Sequence, residues 1–444
     1  MVALLAGGCE EDFLVPDLNN PGLETLQENP TPAAVIDATQ GLLIGARSGT
    51  SGQTGFIAHL GILGRESVTF DNSDPRYIDQ MLAGILDPGD GAFGGSGWDP
   101  RYANLRNASI VLNALEVVTG FSEQELEAIR GFVKTIQALD LLTVVNMRHT
   151  NGAVIDVNRP LTAELAPFVT RDVALAHVAT LLDEAEGHLA AGGSAFPFQL
   201  SSGFADFSTP PLFVEFNRAL RARVAVYQKD YSTAMTALSE SFLDPFGSFD
   251  LGVYHTYGTG PGDAQNGLFQ GSDPQIVAHP SIRDDTERKP GGELDDRVIA
   301  KTAVLAEPKT AGGVSSDVRF TIYNALDSPV PIIRNEGLIL LWAEARWFTN
   351  DRVGAIGTLN QIRQESGGLP PIAVPATDEE FITELLAQRR LSLLMEGGHR
   401  WIDHRRFGRL DELPLFRPTD VVPVAFPVPR DECVARGLQP PCGA

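Results

Sequence analysis

One pattern occurs twice in this 444-residue chain, and it restricts the fold more than any other feature. Leu220, Tyr227, Asp230, Ala234 and Leu238 have the same spacing as Leu341, Phe348, Asp351, Ala355 and Leu359. In each copy an apolar helical stretch ends on an aromatic residue. A two-residue turn follows, and Asp opens a second stretch that presents a small residue and a leucine four positions apart. Two helices joined this tightly run antiparallel, with alanine permitting close approach. Such hairpins are the units of tetratricopeptide-type arrays, which bury a continuous core by stacking. Two copies 121 positions apart predict degenerate repeats separated by insertions.

Apolar periodicity of the helical kind recurs over 33–47, 99–119, 122–149, 169–191, 210–228, 231–243, 334–349, 351–365 and 378–396, which predicts a mainly α fold. Ser122 with Glu125 is a capping-box signal, and Asp378 ahead of Phe381, Leu385 and Leu386 marks another start. The pattern lapses over about 69–98 and 244–330. Gly, Pro, Asp and Tyr dominate there, with short alternating runs such as 318–323 that predict a few strands. The 30 prolines and 44 glycines fit long irregular connections. A net charge of -23, without a surface basic run, excludes nucleic acid as a partner. Arg389-Arg390 and Arg405-Arg406 are the densest basic pairs, and both sit in apolar helical sequence. No apolar run reaches the ~18 residues that a membrane-spanning helix needs.

Met1 to Gly8 is a short apolar stretch ending in small residues before Cys9 and three acidic residues. It reads as the tail of a lipoprotein signal peptide, with Cys9 acylated. Residues 9–32 then have the polar, Pro/Asn-rich composition of a tether, and one helical domain with loop-rich insertions is expected from 33 to 444. The other two cysteines, Cys433 and Cys442, lie close together in a Pro/Gly-rich tail. A disulfide in an oxidising compartment suits them better than zinc, for which no histidine is near.

The C-terminal third carries a more specific signal. Leu338 to Phe348 leads into Gly354 to Arg363 and then Gly368-Leu369-Pro370. Gln388 to Gly408 follows, with Phe426 to Pro429 near the end. In order and spacing this resembles the SusD/RagB family of outer-membrane nutrient-binding lipoproteins. Asn19-Asn20-Pro21, Trp98, Tyr102, Asn107, Leu112, Asn151-Gly152 and Phe168 to Asp172 extend the resemblance towards the N-terminus. Gln388 and Ser392 stand where the family usually carries Glu, and an extra Gly enters Glu396 to Arg400. The resemblance implies a tetratricopeptide-like body in a surface-exposed, lipid-anchored outer-membrane protein. Its implied partner is a SusC-like TonB-dependent transporter, to which it delivers oligosaccharide or peptide. It implies no catalysis, no cofactor and no bound metal.

Loop aromatics with polar neighbours are what a sugar face requires, because flat apolar rings stack on C–H surfaces while acids and amides meet hydroxyls. Tyr77, Phe93, Trp98, Tyr254, Tyr257, Phe269 and Tyr323, with Asp71 and Asp74, are the ligand candidates. Asp71 to Asp74 lacks the full pattern of a calcium loop. Arg389, Glu396, Arg400 and Asp403 read as a structural charged network pinning the C-terminal helices, and Trp342, Trp347 and Trp401 read as core. His-Glu-x-x-His, Gly-x-Ser-x-Gly and a phosphate-binding Gly-x4-Gly-Lys are all missing from the sequence. The rival to nutrient capture is a tetratricopeptide-like protein-interaction scaffold of the cell envelope.

Overall fold

The computed structural model describes residues 23–90, 93, 97–160 and 162–444. Cys9 and the first part of the expected tether lie outside them. The tether ends earlier than its composition suggests. Leu23–Glu28 is already helical (α1) and packs on α4 (Asp99–Leu115), with Leu26 buried between them. A single leucine with an apolar slot to fill outweighs the polar residues around it.

The body is a succession of helices packed on their chain neighbours. After α2 (Pro32–Arg47) and α3 (Phe56–Leu63), α4 pairs with α5 (Glu123–Arg148), α5 with α6 (Arg171–Ala191) and α6 with α7 (Pro210–Gln228). The starts are chemically marked. Thr31 and Thr209 accept from the first-turn amides of α2 and α7, each with Pro just inside the helix. Ser122 and Glu125 make the expected capping box.

The two repeat copies are the hairpins α7–α8 (Tyr231–Ser239) and α11–α12 (Asn335–Phe348, Arg352–Glu365). Their turns are superimposable in chemistry. Lys229 and Asn350 both take left-handed backbone (φ 62 and 69), and Asp230 and Asp351 both cap the next helix, accepting from Thr233 and Gly354. Ala234 and Ala355 are fully buried, so their helices approach closely. The hairpins also stack on each other: Tyr231 lies on Phe348 with ring centroids 4.6 Å apart.

The C-terminal segment departs from expectation in two places. The cap of α13 (Asp378–Ser392) is Thr377, which forms a capping box with Glu380, while Asp378 sits in the first turn and accepts from the Trp347 indole at 2.9 Å. The helix stops at Ser392 rather than 396, and Met395 follows with φ 57. Glu396 is therefore not on the helix that carries Arg389. A separate helix, α14 (His399–Arg406), carries Arg400 and Asp403.

The two irregular regions hold more order than their composition announces. β1 (Ser67–Thr69), β3 (Ile276–Ala278), β5 (Val314–Phe320) and β4 (Thr302–Ala311) form an antiparallel sheet in the order β1-β3-β5-β4. β2 (Gly252–His255) pairs with β6 (Val330–Arg334). Two short helices, α9 (Ser281–Asp284) and α10 (Asp296–Lys301), link the strands. β1, β2, β3 and β6, with three to five residues each, offer too little alternation for a sequence pattern to reveal them, whereas the longer β5 overlaps the alternating run 318–323. Near the end, α15 (Arg430–Ala435) presents Cys433, which is bonded to Cys442 with Cα atoms 5.7 Å apart.

Candidate functional site

β1 and β3 place the two irregular regions side by side. Thr69 pairs with Ile276, and the ladder runs on one step as the Phe70 amide donates to the Gln275 carbonyl at 2.8 Å. The loop that leaves β1 through Asp71 is thus anchored beside the loop that enters β3 from Tyr257 to Gln275. A third loop, 48–55, joins them. A Cβ on Gly267 would lie 2.7 Å from the Cα of Gly52, so the two backbones touch there and only glycine fits. The Gln53 amide donates to Gln275 at 2.5 Å across the same junction.

Three half-buried aromatics stand where these loops meet. Phe56, Tyr257 and Phe269 all pack on one buried cluster that includes Ile57, Leu268 and Ile276. The Arg47 guanidinium lies over the Tyr257 ring, 5.4 Å from its centroid, and also donates to the Thr256 carbonyl. Burial pushes the Tyr257 phenol up, with Ser51 and Arg47 pulling the other way. It stays protonated at neutral pH, with its oxygen buried. The same loops carry Gln53, Gln270 and Gln275, with Asp71 and Ser73 on the neighbouring loop, while Asp273 is paired with Lys309. Gln270 is held by donation from the Gln275 and Ile276 amides to its side-chain oxygen, at 2.9 and 3.1 Å. Asp71 accepts from both the amide and the hydroxyl of Ser73, at 2.8 and 2.6 Å, and these bonds lower its pKa.

Of the nine ligand candidates, the fold brings Asp71, Tyr257 and Phe269 to this face. Asp74 is next to it but engaged, since it takes the Arg76 guanidinium at 2.7 Å. Tyr254 sits on β2, its hydroxyl donating to the Asp250 carbonyl, and lines a separate narrow cleft with Leu43 and Ile44.

The remaining four are buried and cannot be a ligand surface. Tyr77 and Phe93 pack edge to face at 4.8 Å. Trp98 is 1% exposed against Tyr102 and under Arg148. Tyr323 donates to the Met395 carbonyl at 2.9 Å. Phe93 and Trp98, next to glycine, look mobile in the sequence, yet all four rings supply apolar filling beneath the loops. Phe56, Gln53, Gln270 and Gln275 were not among the candidates. The Gly/Ser/Thr run over 48–55 just before Phe56 is the signal that points to them. The Asp71–Asp74 turn is closed by its own Ser73 and Arg76, and no metal-holding cluster of His, Cys, Asp or Glu occurs among the described residues.

The charged network forms with different pairings from those its spacing suggests. Arg389 donates to Asp403 at 2.6 Å, Asp403 also takes Arg406 at 2.8 Å, and Arg406 reaches the fully buried Glu344. Glu396 is held by Arg334 at 2.7 Å, and Arg400 donates to the Arg65 carbonyl at 2.8 Å. Of these groups Glu396 comes near the loops, lining an internal cavity with Thr50 and Phe56.

The SusD family's sequence profile matches residues 319–422. No curated protein matches the chain. Among solved structures, a SusD superfamily protein from Bacteroides vulgatus superposes with a TM-score of 0.68 at 16% identity, covering 92% of this chain and 97% of its own. A SusD-like carbohydrate-binding protein from Bacteroides fragilis gives 0.69 at 15% identity, covering 90% and 98%. A laminarin-binding SusD-like protein gives 0.67 at 19% identity, covering 91% and 98%. These likenesses establish the helical fold over nearly the whole chain.

Proposed function

We propose, for a chain that is SusD-like in fold and carries the SusD family's sequence across residues 319–422, that it captures oligosaccharide on the Phe56–Tyr257–Phe269 face. It then passes the ligand to a SusC-like TonB-dependent transporter without chemical turnover. The observation that carries this reading is the junction of three loops, which bring half-buried rings together on segments rich in glutamine and carboxylate. Rings take the apolar faces of pyranose units, and amide and carboxylate groups take the hydroxyls. Structural relatives that bind carbohydrate and laminarin agree with it. Acylation at Cys9 would hold the protein at the outer membrane through its lipid, and none of the described helices is long and apolar enough to cross one.

The test is titration of the intact protein with laminarin and a panel of other soluble glycans, followed by Tyr257→Ala and Phe269→Ala. Each substitution is expected to weaken binding about fivefold or more, as stacking contacts of ~1 kcal/mol or above imply. A peptide that binds where every glycan fails would redirect the assignment to peptide capture. Detergent extraction of outer membranes should also recover the transporter with the tagged chain. Recovery of an envelope protein of another kind, with no barrel, would favour the scaffold.

A further inference from the structure

A second concave site lies among the helices, built from residues that do not line the loop face. His149 at the end of α5, Arg171 and Asp172 at the start of α6, Tyr227 to Lys229 at the end of α7, and Arg405 and Arg406 on α14 line a cleft of about 500 Å3. Its charge balance is unusual for a chain of net charge -23. Arg406 is neutralised by Glu344 and Asp403. The other cations are not. Among the described residues Arg405 meets no carboxylate: it donates to the Val424 and Asn146 carbonyls and lies over the Trp401 ring at 4.1 Å. Among the same residues Arg171 meets Asp172, whose side chain is 90% exposed, and the Tyr227 carbonyl. The exposed Lys229 has no side-chain partner among them, and its backbone is left-handed.

A guanidinium has five N–H donors, and Arg171 and Arg405 each show two in use. Both helix-end carbonyls that they satisfy belong to the fold, so the structural duty of these arginines is met with donors to spare. The inner nitrogen of the His149 ring, Nδ1, is buried at this cleft without a partner. Thr170 makes no side-chain cap at the start of α6, a 21-residue helix, which leaves its first amides open at the mouth. Arg405 and Lys229, with Arg171 compensated only by the exposed Asp172, leave an excess of positive charge in one hollow that an anion would relieve.

We propose that this cleft binds an oxyanion: a carboxylate, sulfate or phosphate group on a small molecule or sugar. Lys229, Arg171 and Arg405 surround it, and one or two oxygens accept from the free guanidinium N–H groups. The site stands apart from the glycan face, so neither assignment falls with the other.

Calorimetric titration of the intact protein at low ionic strength would use inorganic sulfate, inorganic phosphate and glucuronate, with chloride and glucose as comparators. At least one oxyanion should bind saturably at one site, more tightly than chloride, and weaken as salt is added, while glucose gives no heat. A preference for glucuronate would assign the group to an acidic sugar, and a preference for phosphate to a phosphate monoester; both uphold the site. Lys229→Asn keeps a residue that tolerates left-handed backbone and removes the charge. It should weaken binding at least fivefold with an unchanged melting temperature. Arg171→Gln should weaken it as well. Absence of saturable binding by all three anions, chloride binding equally well, or affinity unmoved by both substitutions would overturn the proposal.

Discussion

Asp403 accepts Arg389 on one oxygen and Arg406 on the other while fully enclosed. Burial alone would raise its pKa, but the two guanidiniums override that and hold it below the carboxylate range. Glu336 is in the same position, brought down to about 2 against its burial by Arg334 and Lys301. A depressed folded-state pKa contributes stability that is present above the unfolded value near 4 and is lost as pH falls below it. Denaturant midpoints should therefore drop steeply from about pH 4 towards pH 2. Asp403→Asn should cost roughly 3–5 kcal/mol at pH 7 in urea titration, because it strands the buried Arg389 guanidinium and leaves Arg406 to Glu344 alone. Glu66 behaves oppositely. Its burial pushes it up to about 8, although Arg400 and Arg390 pull the other way. A raised carboxyl pKa makes stability decline as pH rises, here between about 5 and 8. Glu66→Gln should flatten the stability profile over that window while leaving the acid limb intact.

At the scale of elements, the repeat turn offers a paired prediction. Asp230 and Asp351 cap equivalent helices after equivalent left-handed residues, so each Asp→Ala change should cost about 1 kcal/mol by denaturation. Asp351→Ala should cost slightly more, since it also releases Arg346 at 2.7 Å. These hairpins were legible because helical spacing, an aromatic stop and a capping Asp all repeat over tens of residues. The limits of α7, Pro210–Gln228, match the spacing to the residue. What escaped was short or non-local. α3 is apolar almost all round, with seven of its eight residues buried, so it has no amphipathic stripe to see. The pairing of Asp403 with Arg389 depends on a helix break at Ser392 that no residue there announces. Gln388 and Ser392, which stand where family members carry Glu, instead receive Arg297, itself already neutralised by Asp295. Spacing within one segment cannot show a cation arriving from another 90 residues away.

Across the whole molecule, the chain is closed near its end. The Cys433–Cys442 bond encloses a short loop, and the last residue's amide donates to Asn151 at 3.1 Å. Arg436 reaches back to Ala166, and Arg148 donates to Pro427. Reduction, or Cys433→Ser, should lower stability by about 2–3 kcal/mol, measured as a shift in the thermal midpoint with and without reductant. The candidate loop junction was half legible at this scale. Its two loop regions and Tyr257, Phe269 and Asp71 could be picked out, whereas ring burial in Tyr77, Phe93, Trp98 and Tyr323 is settled by packing between distant segments.

The step of backbone pairing from Thr69–Ile276 to Phe70–Gln275 has a consequence for how such proteins diversify. Two loops more than 180 residues apart in the chain hang from one ladder, so the path of each past the ladder is set beside the other. A chimaera that imports the 69–76 loop alone from a relative should lose recognition altogether. One that imports it together with 256–275 can acquire the donor's preference while the helices beneath remain untouched.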